Sequence, residues 1–298
     1  MNRLLAIVAS LFCVSSIAHA ESTLQILDYG AEPRAPLRYK FEAGKTERMM
    51  MEMTMSMANE VDGKLVPGAS LPSTRTTMLL RVTDVAADGS ARLEFESQSA
   101  ESPMGQVTGQ VPQATLDRTL AGLSMLKGWY RTDTRGRVLE SGVTLPESVL
   151  PEGMPPGMAR QMMDEMMNDV DESQQELPEE AVGRGARWQV VQHLDIAGAK
   201  ISQGQEFTLR SRSGNRVELD TKIIQPPADG PGAPLVPGMS IQSVSTGSGT
   251  MVLDLNGLST TLTMEVNSTT TMSMPSQAQA QPRKMVMQMK MTAGPAKY

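Results

Sequence analysis

The chain has 298 residues, a formal net charge of −6, 3% aromatic residues and 25 methionines. A chain of this length can bury a substantial core in one or two domains. The acidic balance argues against nucleic acid and against an anionic membrane surface as partners. With few Phe, Tyr and Trp, methionine becomes a main apolar filler.

Residues 1–20 read as a cleavable secretory signal peptide. Arg3 supplies the positive start, Leu4–Ile17 an apolar run too short to span a bilayer, and Ala18-His19-Ala20 the small residues a signal peptidase reads before Glu21. Cys13 follows Leu11-Phe12 and not a small residue, which argues against a lipid-anchored cysteine. Cleavage would remove the only cysteine and one of the two histidines, leaving His193. Disulfides, cysteine nucleophiles, thiolate metal sites and multi-histidine zinc sites are then excluded. A cysteine-free exported chain fits a periplasmic or secreted bacterial protein. No later stretch has the length of a transmembrane helix, so no membrane span is expected in the mature chain.

From residue 37 onward most of the chain reads as strands. Leu37–Phe41 alternates and ends at the turn Glu42-Ala43-Gly44-Lys45, and Thr46–Met57 is a longer alternating run. Thr76–Val85 and Ser90–Ser97 flank Ala86-Ala87-Asp88-Gly89, an Asp-Gly hairpin signal. Gln113–Leu126 carries Leu116, Leu120 and Leu123 at helical spacing. Gly128–Thr132 and Arg137–Glu140 flank Asp133-Thr134-Arg135-Gly136.

Pro156–Val170 predicts a second helix, with Met158, Met162, Met166 and Val170 on one face, and Asp171–Glu180 an acidic linker. Strands resume at Trp188–Ile196, Glu206–Ser211 and Arg216–Ile224, the last two around Arg212-Ser213-Gly214-Asn215. Ile224–Ser240 is rich in Pro and Gly and reads as a long loop. Gly249–Leu253 turns through Asp254-Leu255-Asn256-Gly257 into Leu258–Met274, and Lys284–Met291 is the last strand.

Short Thr-, Val-, Leu- and Met-rich strands separated by turn residues predict a mainly β fold, an antiparallel barrel or half-barrel with one or two short helices. The order of turns repeats, with a hairpin on Asp133-x-x-Gly136 in one half and on Asp254-x-x-Gly257 in the other. This predicts two related halves. The expected division is signal peptide 1–20, first β half 21–146, methionine-rich helix and acidic linker 147–182, and second β half 183–298.

Two steps of the chain carry a family resemblance. Leu177-Pro178-Glu179-Glu180-Ala181-Val182-Gly183-Arg184-Gly185-Ala186-Arg187-Trp188 and Gly247-Ser248-Gly249-Thr250-Met251-Val252-Leu253-Asp254 resemble the repeated steps of a family of secreted bacterial β-proteins of unassigned function. The resemblance implies an envelope β-fold and no particular activity. The architecture expected is similar to that of the periplasmic half-barrel lipoprotein carriers.

The methionines carry the functional reading. Met49, Met51, Met53, Met55 and Met57 alternate along one strand, and Met285, Met287, Met289 and Met291 along another. Leu262, Met264, Val266, Met272 and Met274 share one parity of a third. Strand period two projects each set from a single face. The plain reading is a core, yet a flexible thioether specifies shape poorly and suits apolar ligands of variable form.

The expected function is non-enzymatic binding of an apolar molecule, a lipid or acyl chain, on a surface built by Met51, Met53, Met55, Met264, Met287 and Met289, with Met162 and Met166 over it. One alternative is a periplasmic Cu(I)-binding protein, because thioethers are soft ligands. Another is a structural or interaction module with no small-molecule ligand.

No catalytic constellation is visible, and no cofactor or bound metal is expected in the main reading. No Gly-x-Ser-x-Gly elbow is present, Gly183-x-Gly185 precedes a strand and so is no nucleotide loop, and His193 alternates within Gln189–Asp195 as a structural strand residue would.

Overall fold

A computed structural model describes residues 21–61, 64–103, 113–144, 176–196, 199–225, 240–273 and 283–296. Twelve strands form one antiparallel sheet. They are β1 (Glu21–Asp28), β2 (Thr46–Val61), β3 (Lys64–Val85), β4 (Ala91–Glu101), β5 (Lys127–Thr132), β6 (Val138–Thr144), β7 (Arg187–Ile196), β8 (Ala199–Ser213), β9 (Arg216–Ile224), β10 (Ser240–Asp254), β11 (Thr260–Ser273) and β12 (Arg283–Pro295). One helix, α1 (Gln113–Ser124), lies between β4 and β5. The predicted helix Pro156–Val170, with Met162 and Met166, lies outside the described residues.

The strand order is β1-β7-β8-β9-β10-β11-β12-β2-β3-β4-β5-β6, with β1 and β6 at the edges. The sheet is therefore open, a half-barrel and not a closed barrel. Nearly all neighbours are consecutive hairpin strands. The exceptions are β12 with β2 and β1 with β7, which join the two halves of the chain into one sheet.

Each half enters the sheet in the same way. Gly44 N–H donates to Val82 O and Val82 N–H to Lys45 O. In the second half, Gly185 N–H donates to Leu209 O and Leu209 N–H to Ala186 O. Both glycines are in the left-handed region, at φ +83° and +84°, where a side chain is strained. The later turns match as well, with Gly136 N–H donating to Asp133 O and Gly257 N–H to Asp254 O. The glycine of the Val-Gly-x-Gly step does something different. A Cβ on Gly183 would lie 1.7 Å from Ala31 O, so the 30–31 backbone packs directly against it.

The core gathers at the turn end of the sheet in two clusters. One holds Leu37, Leu177, Val182, Trp188, Phe207, Leu209, Val217, Leu219, Met251, Leu253 and Leu255. The other holds Leu80, Val82, Leu93, Phe95 and Tyr130. Every strand except β12 contributes a buried or partly buried residue to these clusters from one face, here called inner.

Leu37–Phe41 departs from expectation. It is not a strand of the sheet. Tyr39 N–H donates to Thr134 O and Lys40 N–H to Leu255 O, so this segment bridges the turns of the two halves and plugs the end of the half-barrel. Its alternation reflects a half-buried plug and not sheet pairing. Residues 176–182 cross the same end. Arg135 holds them through Leu177 O at 2.9 Å and Glu176 at 2.9 Å, and Arg38 through Pro178 O at 2.8 Å. Across the halves, the Glu47 carboxylate accepts from Leu258 N–H, Ser259 N–H and the Ser259 hydroxyl at 2.9–3.0 Å.

Candidate functional site

Beyond the plugged end, the long central strands continue with a methionine-rich inner face. Pairing register decides what stands beside what, because residues directly opposite on an antiparallel pair have Cβ atoms roughly 4.5–5.5 Å apart. Read across the sheet, one row runs Phe207, Thr221, Gly249, Met264, Met291, Met53, Thr74. The next outward runs Gln205, Ile223, Gly247, Val266, Met289, Met55. A third runs Ser245, Ser268, Met287, Met57, and the Ser245 and Ser268 hydroxyls meet at 3.1 Å. The row nearest the core runs Leu219, Met251, Leu262, Ala293, Met51, Thr76.

Six of the eight residues expected at the site, Met51, Met53, Met55, Met264, Met287 and Met289, thus share one face of three adjacent strands, β11, β12 and β2. Thr54, Thr263 and Gln288 fall on the other. Met55 and Met264 are buried at 5% and 6% exposure, whereas Met51, Met53, Met57, Met285, Met287, Met289 and Met291 are half-buried. Met57, Met285 and Met291 belong to the same face. Met291 stands at its centre, flanked on both sides by methionine, which the reading of single strands did not single out.

Two glycines interrupt the face. Gly247 and Gly249 leave β10 without side chains beside Val266 and Met264. A Cβ on Gly249 would lie 2.2 Å from Thr263 O, and one on Gly247 2.7 Å from Glu265 O. The close approach of β10 to β11 requires glycine at both. Thr221, next to this gap, is buried, and its hydroxyl has no hydrogen-bond partner among the described residues. A buried hydroxyl left unpaired costs about 1–3 kcal/mol.

The outer face is chemically opposite. Cross-strand ion pairs stud it, among them Arg75–Glu52 at 3.1 Å, Lys290–Glu265 at 3.1 Å, Lys284–Glu60 at 2.7 Å and Arg210–Asp220 at 3.5 Å. The Ser73 hydroxyl and Arg75 hold the Glu52 carboxyl below the usual carboxylate range, and the Ser211 hydroxyl and Arg216 do the same for Glu218. An open recess of about 510 Å³ lies over Thr208, Lys222, Ser248 and Thr250, and its acidic neighbours Asp220 and Glu265 are among those ion pairs. At the plugged end, burial raises the Tyr39 phenol above its ordinary range, beside a cavity of about 30 Å³ shared with Tyr130 and Leu258.

His193 sits on β7 opposite Glu21 of β1 and Ser202 of β8, away from the methionine strands in the sheet order. Among the described residues no group of three or more His, Cys, Asp or Glu is placed to hold a metal ion. What this arrangement offers chemically is soft, polarizable, apolar surface with hydroxyls at its margins. No helix among the described residues is long and apolar enough to cross a membrane. No protein-family model and no curated protein matches this chain.

Proposed function

We propose that the protein binds an apolar molecule, a lipid or acyl chain, on the inner face of its half-barrel, in the bacterial periplasm or outside the cell. The observation that carries this reading is the methionine face on β11, β12 and β2, buried at Met264 and Met55 and half-buried at its other methionines, distinct from the sealed core at the turn end. A sheet needing only a core would bury its apolar face throughout. Here Met53, Met287, Met289 and Met291 keep part of their surface open. Unbranched thioether side chains adapt to chains of differing shape. The Thr221 hydroxyl beside the Gly247–Gly249 gap is one polar point for a ligand headgroup, in keeping with apolar sites that carry a few placed polar groups. The asymmetry between a charged outer and an apolar inner face favours a ligand held inside the curve.

A fluorescent long-chain fatty acid titrated into the mature protein is expected to bind saturably with micromolar affinity. Met289→Gln is expected to weaken that binding by about tenfold, roughly 1.4 kcal/mol, while the protein stays folded by circular dichroism. Absence of saturable binding, for this probe and for a fluorescent phospholipid, would end the carrier reading.

The export proposal has its own test. N-terminal sequencing of the exported protein is expected to start at Glu21. A retained Met1, or a lipid on Cys13, would contradict it.

A further inference from the structure

We propose that Met264, Met291 and Met53 form a thioether site for a soft monovalent cation, Cu(I), with Ag(I) as its redox-inert stand-in. The three residues are consecutive in one row, Met291 lying opposite Met264 on one side and opposite Met53 on the other. Successive same-face residues along a strand are about 6.6 Å apart, whereas directly opposite residues across strands are closer. Sulfurs therefore converge across strands more readily than along Met51, Met53 and Met55. Two flexible carbons between backbone and sulfur let each thioether reach toward a common point. Met55 and Met289, opposite each other in the adjacent row outward, offer further sulfur donors.

The donor set determines the metal. The row continues into Thr74 on one side and Gly249 and Thr221 on the other, so no carboxylate or imidazole stands in it. Zn²⁺, Mg²⁺ and Ca²⁺ want nitrogen, thiolate or charged oxygen. Neutral thioethers alone select Cu(I). Met264 is the buried floor of the site, and half-buried Met53 and Met291 give an ion a way in. This site shares the inner face with the proposed lipid surface but makes a different chemical demand: an acyl chain needs an apolar wall, whereas the cation needs sulfur.

That difference supplies the experiment. Mature protein is titrated with Cu(I) kept reduced by ascorbate against a chromophoric chelator, and separately with Ag(I). One ion per chain at submicromolar affinity is expected. The triple variant M53L/M264L/M291L is expected to lose at least about tenfold in affinity, while M57L/M285L/M287L, on the same face but two and three rows further out, stays within about threefold. Methionine-to-leucine changes conserve volume, so both variants should fold, which circular dichroism checks. On the wild type itself, methyl-labelled methionine spectra are expected to shift at Met53, Met264 and Met291 on adding Ag(I), and not at Met57 or Met285. Failure of the wild type to bind either ion stoichiometrically, equal losses in both triple variants, or Ag(I) shifts spread evenly over all methionines would overturn the proposal. None of those results bears on the fatty-acid titration.

Discussion

Trp188→Ala is expected to destabilise the protein by about 3–5 kcal/mol, the range for removing a fully buried aromatic side chain from a packed core. Trp188 has no exposed surface and stacks on Phe207 with ring centroids 5.7 Å apart. It lies two residues past the Gly185–Ala186 entry into β7, among Leu37, Leu177, Leu209 and Leu219. The residual cavity would open where the plug segments 35–41 and 176–182 meet the sheet, so relaxation around it is limited. Trp188→Phe should cost much less, under about 1.5 kcal/mol, because it keeps the stack and deletes an indole N–H that has no hydrogen-bond partner among the described residues. Urea unfolding followed by circular dichroism measures both. A Trp188→Ala cost near that of Trp188→Phe would mean that this cluster does not organise the second half.

The strands were legible where alternation and turn chemistry agreed. Arg216–Ile224 matches the expected bounds, and Asp88-Gly89 makes its hairpin turn, with Gly89 at φ +83° and Asp88 accepting from Ser90 N–H at 2.9 Å. Length was misjudged where residues of low strand propensity lie inside the sheet. β3 runs back to Lys64 through Pro67 and Pro72, tolerated because the β2–β3 register shifts between Met53 and Met55 and again between Ser56 and Ala58. β10 extends back to Ser240 through Ser- and Gly-rich sequence, and its glycines serve the close approach to β11, a reason that lies in a neighbouring strand. β1 pairs only with β7, far along the chain, and went unread, and Leu37–Phe41 showed that alternation reports half-burial and not pairing.

The site was legible by parity and not by neighbourhood. Period two places Met51, Met53 and Met55 on one side of β2, and Met287 and Met289 on one side of β12, without any structure. That β12, near the end of the chain, lies between β11 and β2 is a long-range pairing with no local signal. Only that order sets Met53 against Met291 and Met55 against Met289. The Thr221 hydroxyl was unreadable for the same reason, since its lack of a partner is a property of what β8 and β10 place beside it.

A pair of aspartates distinguishes a ligand face from a plain core. Met55 is 5% exposed and faces Met289, with Val266 beyond it, so Met55→Asp buries a carboxylate with no partner in the row. The expected cost near pH 7 is about 2–4 kcal/mol. Met53 is half-buried and lies opposite Thr74. Met53→Asp can keep its carboxylate partly hydrated, and its expected cost is less than half that of Met55→Asp, under about 1.5 kcal/mol. The pH dependence separates the two further. Burial raises a carboxyl's folded-state pKa above its unfolded value of about 3.9, so the folded state holds the proton more tightly than the unfolded one. The penalty is then complete above the folded pKa and shrinks as pH falls through it toward the unfolded value. Met55→Asp should therefore recover stability relative to the wild type between about pH 6 and pH 4, while Met53→Asp changes little over that window. Fatty-acid binding should fall in Met53→Asp despite its small stability cost, since the charge stands on the open part of the face. Equal costs for the two variants, with the same acid recovery, would show that Met53 belongs to a sealed core, and the inner face would then have no surface left for a ligand at that row.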